Sequence, residues 1–320
     1  MKKYLSLLLI MVLIITGCDS KNENITDNQG GQNQPSNEAN NIGSNVPSED
    51  DIPTQPSGIV CKRATTLHTE TCKDKSNRCN SAGYSSSGSK GTTTITYGSL
   101  GTSGTLTSGD AFDCDVNGDG IFDAETERFY YVTDLANNNK YAVLIYYSNT
   151  TEGVADYTDE SATRYNVAAV NKYGPVTVIE NLPSATQWNN VALSNNNRAI
   201  ITETGTNSVS GSNLPTAFSY SGYAARLLTT QEVSSACGIT VGSVNSGQLD
   251  VCEYFMENTS YSYTLDSPYG YWLETPSVES VYQAWVVTGE VRRLYDWGVY
   301  DNNKYGVRPV IEVPKERIEY

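Results

Sequence analysis

Seven cysteines divide this 320-residue chain unevenly, and their placement limits its possible folds more than any other feature. Cys18 stands alone near the start. Cys61, Cys72, Cys79 and Cys114 follow within one stretch, Cys237 and Cys252 form a separate couple, and no cysteine comes later. With Cys18 set aside, six remain, which in an oxidising compartment reads as three disulfides out of fifteen conceivable pairings. Cys237 and Cys252 lie close together and far from the rest, so they are expected to pair. Closing that loop stabilises by about 3 kcal/mol on chain-entropy grounds. The other four are expected to staple the 61–114 region. A metal site from Cys72, Cys79 and His68 competes with this, but the spacings are not those of zinc knuckles.

The compartment is indicated by the first eighteen residues. Met1-Lys2-Lys3 is basic, Leu5 to Ile15 is apolar, and Ile15-Thr16-Gly17-Cys18 closes the run. That order is the pattern of an export signal, and the run is shorter than the roughly twenty residues that span a bilayer. Its last four residues resemble a bacterial lipobox. The resemblance implies that residues 1–18 are a lipoprotein signal peptide and that Cys18 becomes the lipidated N-terminus. Residues 19–58 are mostly Asn, Gln, Ser, Asp, Glu, Gly and Pro. They bury too little to offset the entropy of ordering them, so a disordered tether is expected. About forty flexible residues hold their ends roughly 35 Å apart. The expectation is a protein of the bacterial cell envelope, extracytoplasmic and anchored to a lipid membrane through Cys18. With 36 acidic against 21 basic residues and a net charge of −15, nucleic acid is not an expected partner. The 23 tyrosines against 5 phenylalanines give aromatic surface with polar tips, suited to polar ligands and proteins.

Residues 59–120 are rich in Ser, Thr and Gly, with short β-like runs such as Thr92 to Tyr97. Further on, Arg128 to Thr133 and Tyr141 to Tyr147 are β-branched and aromatic runs separated by Asn137-Asn138-Asn139, which predicts two strands and a turn. Helices are expected over 159–171 and 229–237, the second with Thr229 or Thr230 as N-cap and Glu232 in its first turn. The class is α+β, with short strands, few helices and long loops.

Four segments carry a family pattern. They are Ala225-Arg226-Leu227-Leu228-Thr229-Thr230-Gln231-Glu232-Val233, Tyr271-Trp272-Leu273-Glu274-Thr275-Pro276, Ala284-Trp285-Val286-Val287, and Tyr305-Gly306-Val307-Arg308-Pro309-Val310-Ile311. In this order they resemble the C-type-lectin-like domains of the sulfatase-modifying-factor (formylglycine-generating-enzyme) type, in a non-catalytic branch. Leu228 stands where better-known members have Pro. The resemblance implies such a domain over 121–313, preceded by the disulfide-rich 59–120 part and followed by a 314–320 tail. Arg226 and Arg308 are suited to tie loops to the sheet by reaching buried carboxylates or carbonyls, and Trp272 and Trp285 to anchor the core.

The chemistry of the family's enzymes is tested by subtraction. Copper-holding cysteines near the C-terminus are missing, and the three histidines of the iron enzymes are replaced by a lone His68, so no catalytic residue is expected. One segment does carry specific chemistry. Asp115, Asn117, Asp119, the Ile121 carbonyl and Asp123 fall at positions 1, 3, 5, 7 and 9 of a loop with Gly120 at 6, the ligand order of a Ca²⁺ loop. It resembles the loops of dockerins and related extracellular repeats. Position 12 is Thr126, flanked by Glu125 and Glu127, and Glu127 is taken as the closing ligand. Finally, the 282–305 stretch crowds aromatic, Arg and Asn residues of the kind found in binding hot spots. Arg293, Tyr295, Trp297 and Tyr300 are the expected exposed contacts. The expected function is binding of an extracellular protein or glycan. The alternatives are an envelope structural lipoprotein without a dedicated ligand, and an enzyme built on paired carboxylates.

Overall fold

The β-branched and aromatic runs after residue 127 form the expected hairpin, as strands Arg128–Leu135 and Asn138–Tyr146. Its turn comes earlier than the asparagine cluster implies. Leu135 stands opposite Asn138, and Asn137 adopts φ 64°, a left-handed conformation that asparagine tolerates.

The computed structural model describes residues 58–72, 93–206, 217–241, 249, 251–259, 268–289, 293–300 and 305–320, all within one unit that begins at Pro47. Cys18, the expected signal peptide and tether up to residue 57, Cys79 and the Cys72 side chain lie outside the described residues. In this structure the hairpin is the centre of a six-stranded sheet. The strand order is Val310–Pro314, Asn138–Tyr146, Arg128–Leu135, Ala111–Cys114, Cys61–Arg63, Ile318–Glu319. All neighbours are antiparallel except the last pair. Cys61 stands opposite Cys114 and is bonded to it.

Both edges of this sheet come from one segment, 310–319. Laid flat, six strands would hold their edges about 24 Å apart, whereas the four Cα steps from Pro314 to Ile318 reach about 15 Å at most. The sheet therefore curls, and the single 3₁₀ turn Lys315–Arg317 carries the chain across the gap. Strands from both sides of residue 120, and from the 314–320 tail, share this sheet, so those stretches fold together.

A second sheet has the order Arg293–Gly298, Gln283–Thr288, Gly270–Pro276, Tyr305–Gly306, with the last pair parallel. A Cβ at Gly270 would lie 1.8 Å from the Val287 carbonyl oxygen, so only glycine lets these strands meet. Each sheet sends residues from both of its faces into buried cores. One core joins Phe129, Leu144 and Ile311 to Trp272, Val286 and Tyr305, and the other joins Tyr130, Ile145 and Val310 to Leu273, Trp285 and Leu294. Trp272 and Trp285 are core anchors, as expected, and Trp272 donates Nε1–H to the Thr163 carbonyl at 2.8 Å.

Among the described residues there is one α-helix, Thr230–Cys237. It starts at a Thr229/Glu232 capping box and stops at Gly238, left-handed at φ 64°. Beyond it, Cys237 and Cys252 are bonded, the expected pair. The helix expected over 159–171 does not form; isolated 3₁₀ turns stand at Asp159–Ser161 and Asn171–Tyr173. Side chains there take the amides a helix would need. Thr158 Oγ1 accepts from Glu160 N–H, Asn166 accepts from Ala168 N–H, and Ala169 sits at φ 57°. The result is a mixed, sheet-rich α+β body with few helices.

A buried ion cluster joins its parts. Arg226 donates through Nε to Glu312 (2.7 Å) and through Nη2 and Nη1 to the two Glu232 oxygens (2.5 and 2.9 Å). Arg198 also donates to Glu312, at 2.8 Å. Arg308 instead reaches carbonyls, those of Phe255 and Glu257, and lies 4.6 Å over the Tyr271 ring. Burial alone would raise the Glu312 carboxyl, but Arg226 and Arg198 outweigh it and hold it down to about 2. Replacing Arg226 by Met should leave the buried Glu232 without its cation and Glu312 with Arg198 alone, and cost about 3–5 kcal/mol of stability in a denaturant titration. Because the Glu312 value is depressed from 4.5, its contribution is whole above that pH and lost as the pH falls toward 2. The acid limb of the stability curve should flatten in Arg226→Met.

Candidate functional site

The hairpin Gln283–Thr288/Arg293–Gly298 sorts its outer strand by alternation. Leu294 and Asp296 stand opposite Val287 and Trp285 and are buried, while Arg293, Tyr295 and Trp297 share the other face and are half-buried. That face is a ladder. The Arg293 guanidinium lies 5.7 Å from the Tyr295 ring centre, Tyr295 and Trp297 are 5.6 Å apart, and Trp297 meets Tyr305 edge-on at 6.0 Å. Two tyrosines remain outside the packing, Tyr282 at 56% exposure and Tyr300 at 58%. Val299 N–H donates to the Tyr282 carbonyl at 2.9 Å and fastens the two tyrosine-bearing segments together. Gly298 sits under the Tyr300 ring, where an added Cβ would be 3.2 Å from Cε1.

These residues enclose a groove of about 430 Å³. Tyr282, Tyr295, Trp297 and Tyr300 give it aromatic surface, and Ser280, Gln283 and Asp296 give it polar groups. Asp296 is only 4% exposed and accepts from Ser277 Oγ at 3.2 Å. The structure thus gathers three of the four residues singled out from sequence. Arg293 stacks on Tyr295 and does not line the groove, and of the four only Tyr300 is exposed; strand alternation half-buries the others. Tyr282 belonged to the same legible aromatic run. Asp296, Ser280 and Gln283 required the strand register to find.

The acidic loop folds as a chain of side-chain-capped turns. Asp115 Oδ2 accepts from Gly120 N–H at 3.1 Å, Asn117 Oδ1 from Asp119 N–H, Asp119 Oδ1 from Ile121 N–H, and Asp123 Oδ1 from Glu125 N–H. Glu127 is buried and accepts from Val116 and Asp123 N–H. Burial raises its carboxyl to about 7; those amides pull it down, while Asp115 and Asp119 push it up. The other Asp115 oxygen, Oδ1, is buried with no hydrogen-bond partner. Among the described residues no three His, Cys, Asp or Glu side chains are gathered as a metal cluster. The oxygen-only donor set and the orphaned Asp115 oxygen nevertheless fit a hard cation.

His68 closes a second cavity of about 540 Å³ that Glu70, Tyr97, Glu125 and Tyr147 also line. Its Nδ1 lies 2.6 Å from Glu257 Oε1 and its Nε2 2.7 Å from the Ala124 carbonyl, so both ring nitrogens face acceptors. Burial would lower its pKa, but the Glu257 hydrogen bond and charge outweigh this and raise it. The ring clamps three chain segments. No protein-family model, curated protein or solved structure matches this chain.

A third cleft, of about 590 Å³, holds Glu274 together with Asp134 and Glu232. Burial raises Glu274 despite Arg198 and Arg226, and its carboxylate accepts from Tyr220 Oη at 3.0 Å. The neighbouring acids are neutralised, Glu232 by Arg226 and Asp134 by Lys315 at 2.7 Å.

Proposed function

We propose that this is an exported, lipid-anchored protein of the bacterial cell envelope whose C-type-lectin-like domain of the sulfatase-modifying-factor type binds an extracellular protein or glycan. The observation that carries the reading is the groove between Tyr282 and Tyr300, where two exposed tyrosines flank half-buried aromatic rings and a few polar groups. Small-ligand sites have this composition, and aromatic hot spots are typical of recognition surfaces. Catalysis by paired carboxylates has weaker support, since the acids beside Glu274 are each tied to a cation. Ca²⁺ is proposed as a brace for the 115–127 loop, held by Asp115, Asn117, Asp119, the Ile121 carbonyl, Asp123 and Glu127. The ion would supply the positive charge that this cluster of acids lacks. No helix among the described residues is long and apolar enough to cross a membrane, and attachment is assigned to Cys18.

Three measurements test this reading. The Cys18→Ser chain should leave the membrane fraction of its cells; unchanged fractionation removes the anchor. About 10 mM Ca²⁺ should stabilise the protein by about 1.4–2.7 kcal/mol if the affinity is in the extracellular range of ~10⁻⁴–10⁻³ M. Asp115→Asn should abolish that gain, and a thermal melt indifferent to Ca²⁺ and chelator removes the ion. On an array of extracellular proteins and glycans, Tyr300→Ala should cost the chain at least about tenfold in affinity, a loss of about 1.4 kcal/mol, for whatever it binds.

A further inference from the structure

Building on the reading of this groove as a recognition site, we infer that its ligand is a neutral carbohydrate, held by the rings of Tyr282 and Tyr300 and hydrogen-bonded through Gln283 and Ser280. Four observations lead there. First, the two exposed rims are both tyrosines. Each offers a flat apolar ring face to the C–H face of a sugar and a hydroxyl tip that both donates and accepts. Second, the accessible polar lining is an amide and a hydroxyl, from Gln283 and Ser280. Those groups pair with hydroxyls, which need donors and acceptors side by side.

Third, among the described residues the lining contains no Lys or Arg, and Arg293 is stacked on Tyr295 outside it. A chain of net charge −15 disfavours sulfated, phosphorylated or sialylated ligands. Fourth, about 430 Å³ is at the low end of ligand sites. That size suits a ring or two at the end or edge of a glycan.

Gly298 adds a positional control. A methyl there would meet the Tyr300 ring at 3.2 Å and displace it by a few tenths of an ångström without removing it.

The test uses the full chain in detergent on an array that carries neutral, sialylated and sulfated oligosaccharides beside proline-rich peptides and folded proteins. Calorimetric titration of the strongest ligand follows. Neutral oligosaccharides should bind. Tyr282→Ala and Tyr300→Ala should each weaken them about tenfold. Gly298→Ala should weaken them less, and melting temperatures should stay unchanged because both rings are exposed. Binding confined to acidic glycans, or to peptides or proteins through the same two tyrosines, overturns the neutral carbohydrate and leaves the recognition site standing. No binding at all, or binding indifferent to both tyrosine substitutions, overturns the site itself.

Discussion

The Arg226–Glu312 pair holds the two sheets in one body. Glu312 belongs to the strand Val310–Pro314, and Arg226 forms a backbone bridge to Val310 beside it. Two residues on, the Leu228 carbonyl accepts from Glu274 N–H in the second sheet, and Thr230 N–H donates to Thr275 Oγ1. Five residues thus splice a curled sheet to a second sheet and open the helix whose Glu232 completes the ion cluster. Buried charges of this kind add little net stability when intact and cost a great deal when half of the pair is lost. Their effect is to fix one arrangement of segments that are far apart in sequence.

Much of this was legible in residue order, for local reasons. The hairpin after residue 127 follows from β-branched and aromatic runs, the helix from a capping box, and the Cys237–Cys252 bond from isolation of that couple. That Arg226 and Arg308 reach buried carboxylates or carbonyls follows from a planar, always-charged donor group that needs acceptors when buried, but which of them takes which does not. Two features were not readable. The 159–171 segment has helix-like composition, yet Thr158 and Asn166 capture its amides, a competition that composition does not reveal. The curl of the six-stranded sheet depends on pairing between Cys61–Arg63 and Ile318–Glu319, the longest-range contact in the sheet.

The groove shows the same division. Its aromatic content stood out in the 282–300 run, but which rings emerge was set by strand alternation. Alternation sends Asp296 inward and leaves Tyr295 and Trp297 half-covered. The tyrosines that remain exposed, Tyr282 and Tyr300, follow or precede strands and escape the pleat. Aromatic side chains with only two χ angles make a surface that loses little entropy on binding. The acidic loop offers a contrast, because its Asp, Asn and Glu127 side chains are already engaged in hydrogen bonds within the loop except for one Asp115 oxygen.

A seam joined by its own last segment has a temporal meaning. The strand 310–314 and the strand 318–319 zip opposite edges, so the sheet stays open on both sides until the chain through Glu319 has arrived. Contacts this far apart in sequence form slowly, and open edges invite pairing with other chains in the interval. A polypeptide threaded through a membrane before folding meets that condition naturally, since all of its strands reach the far side before any seam has to close.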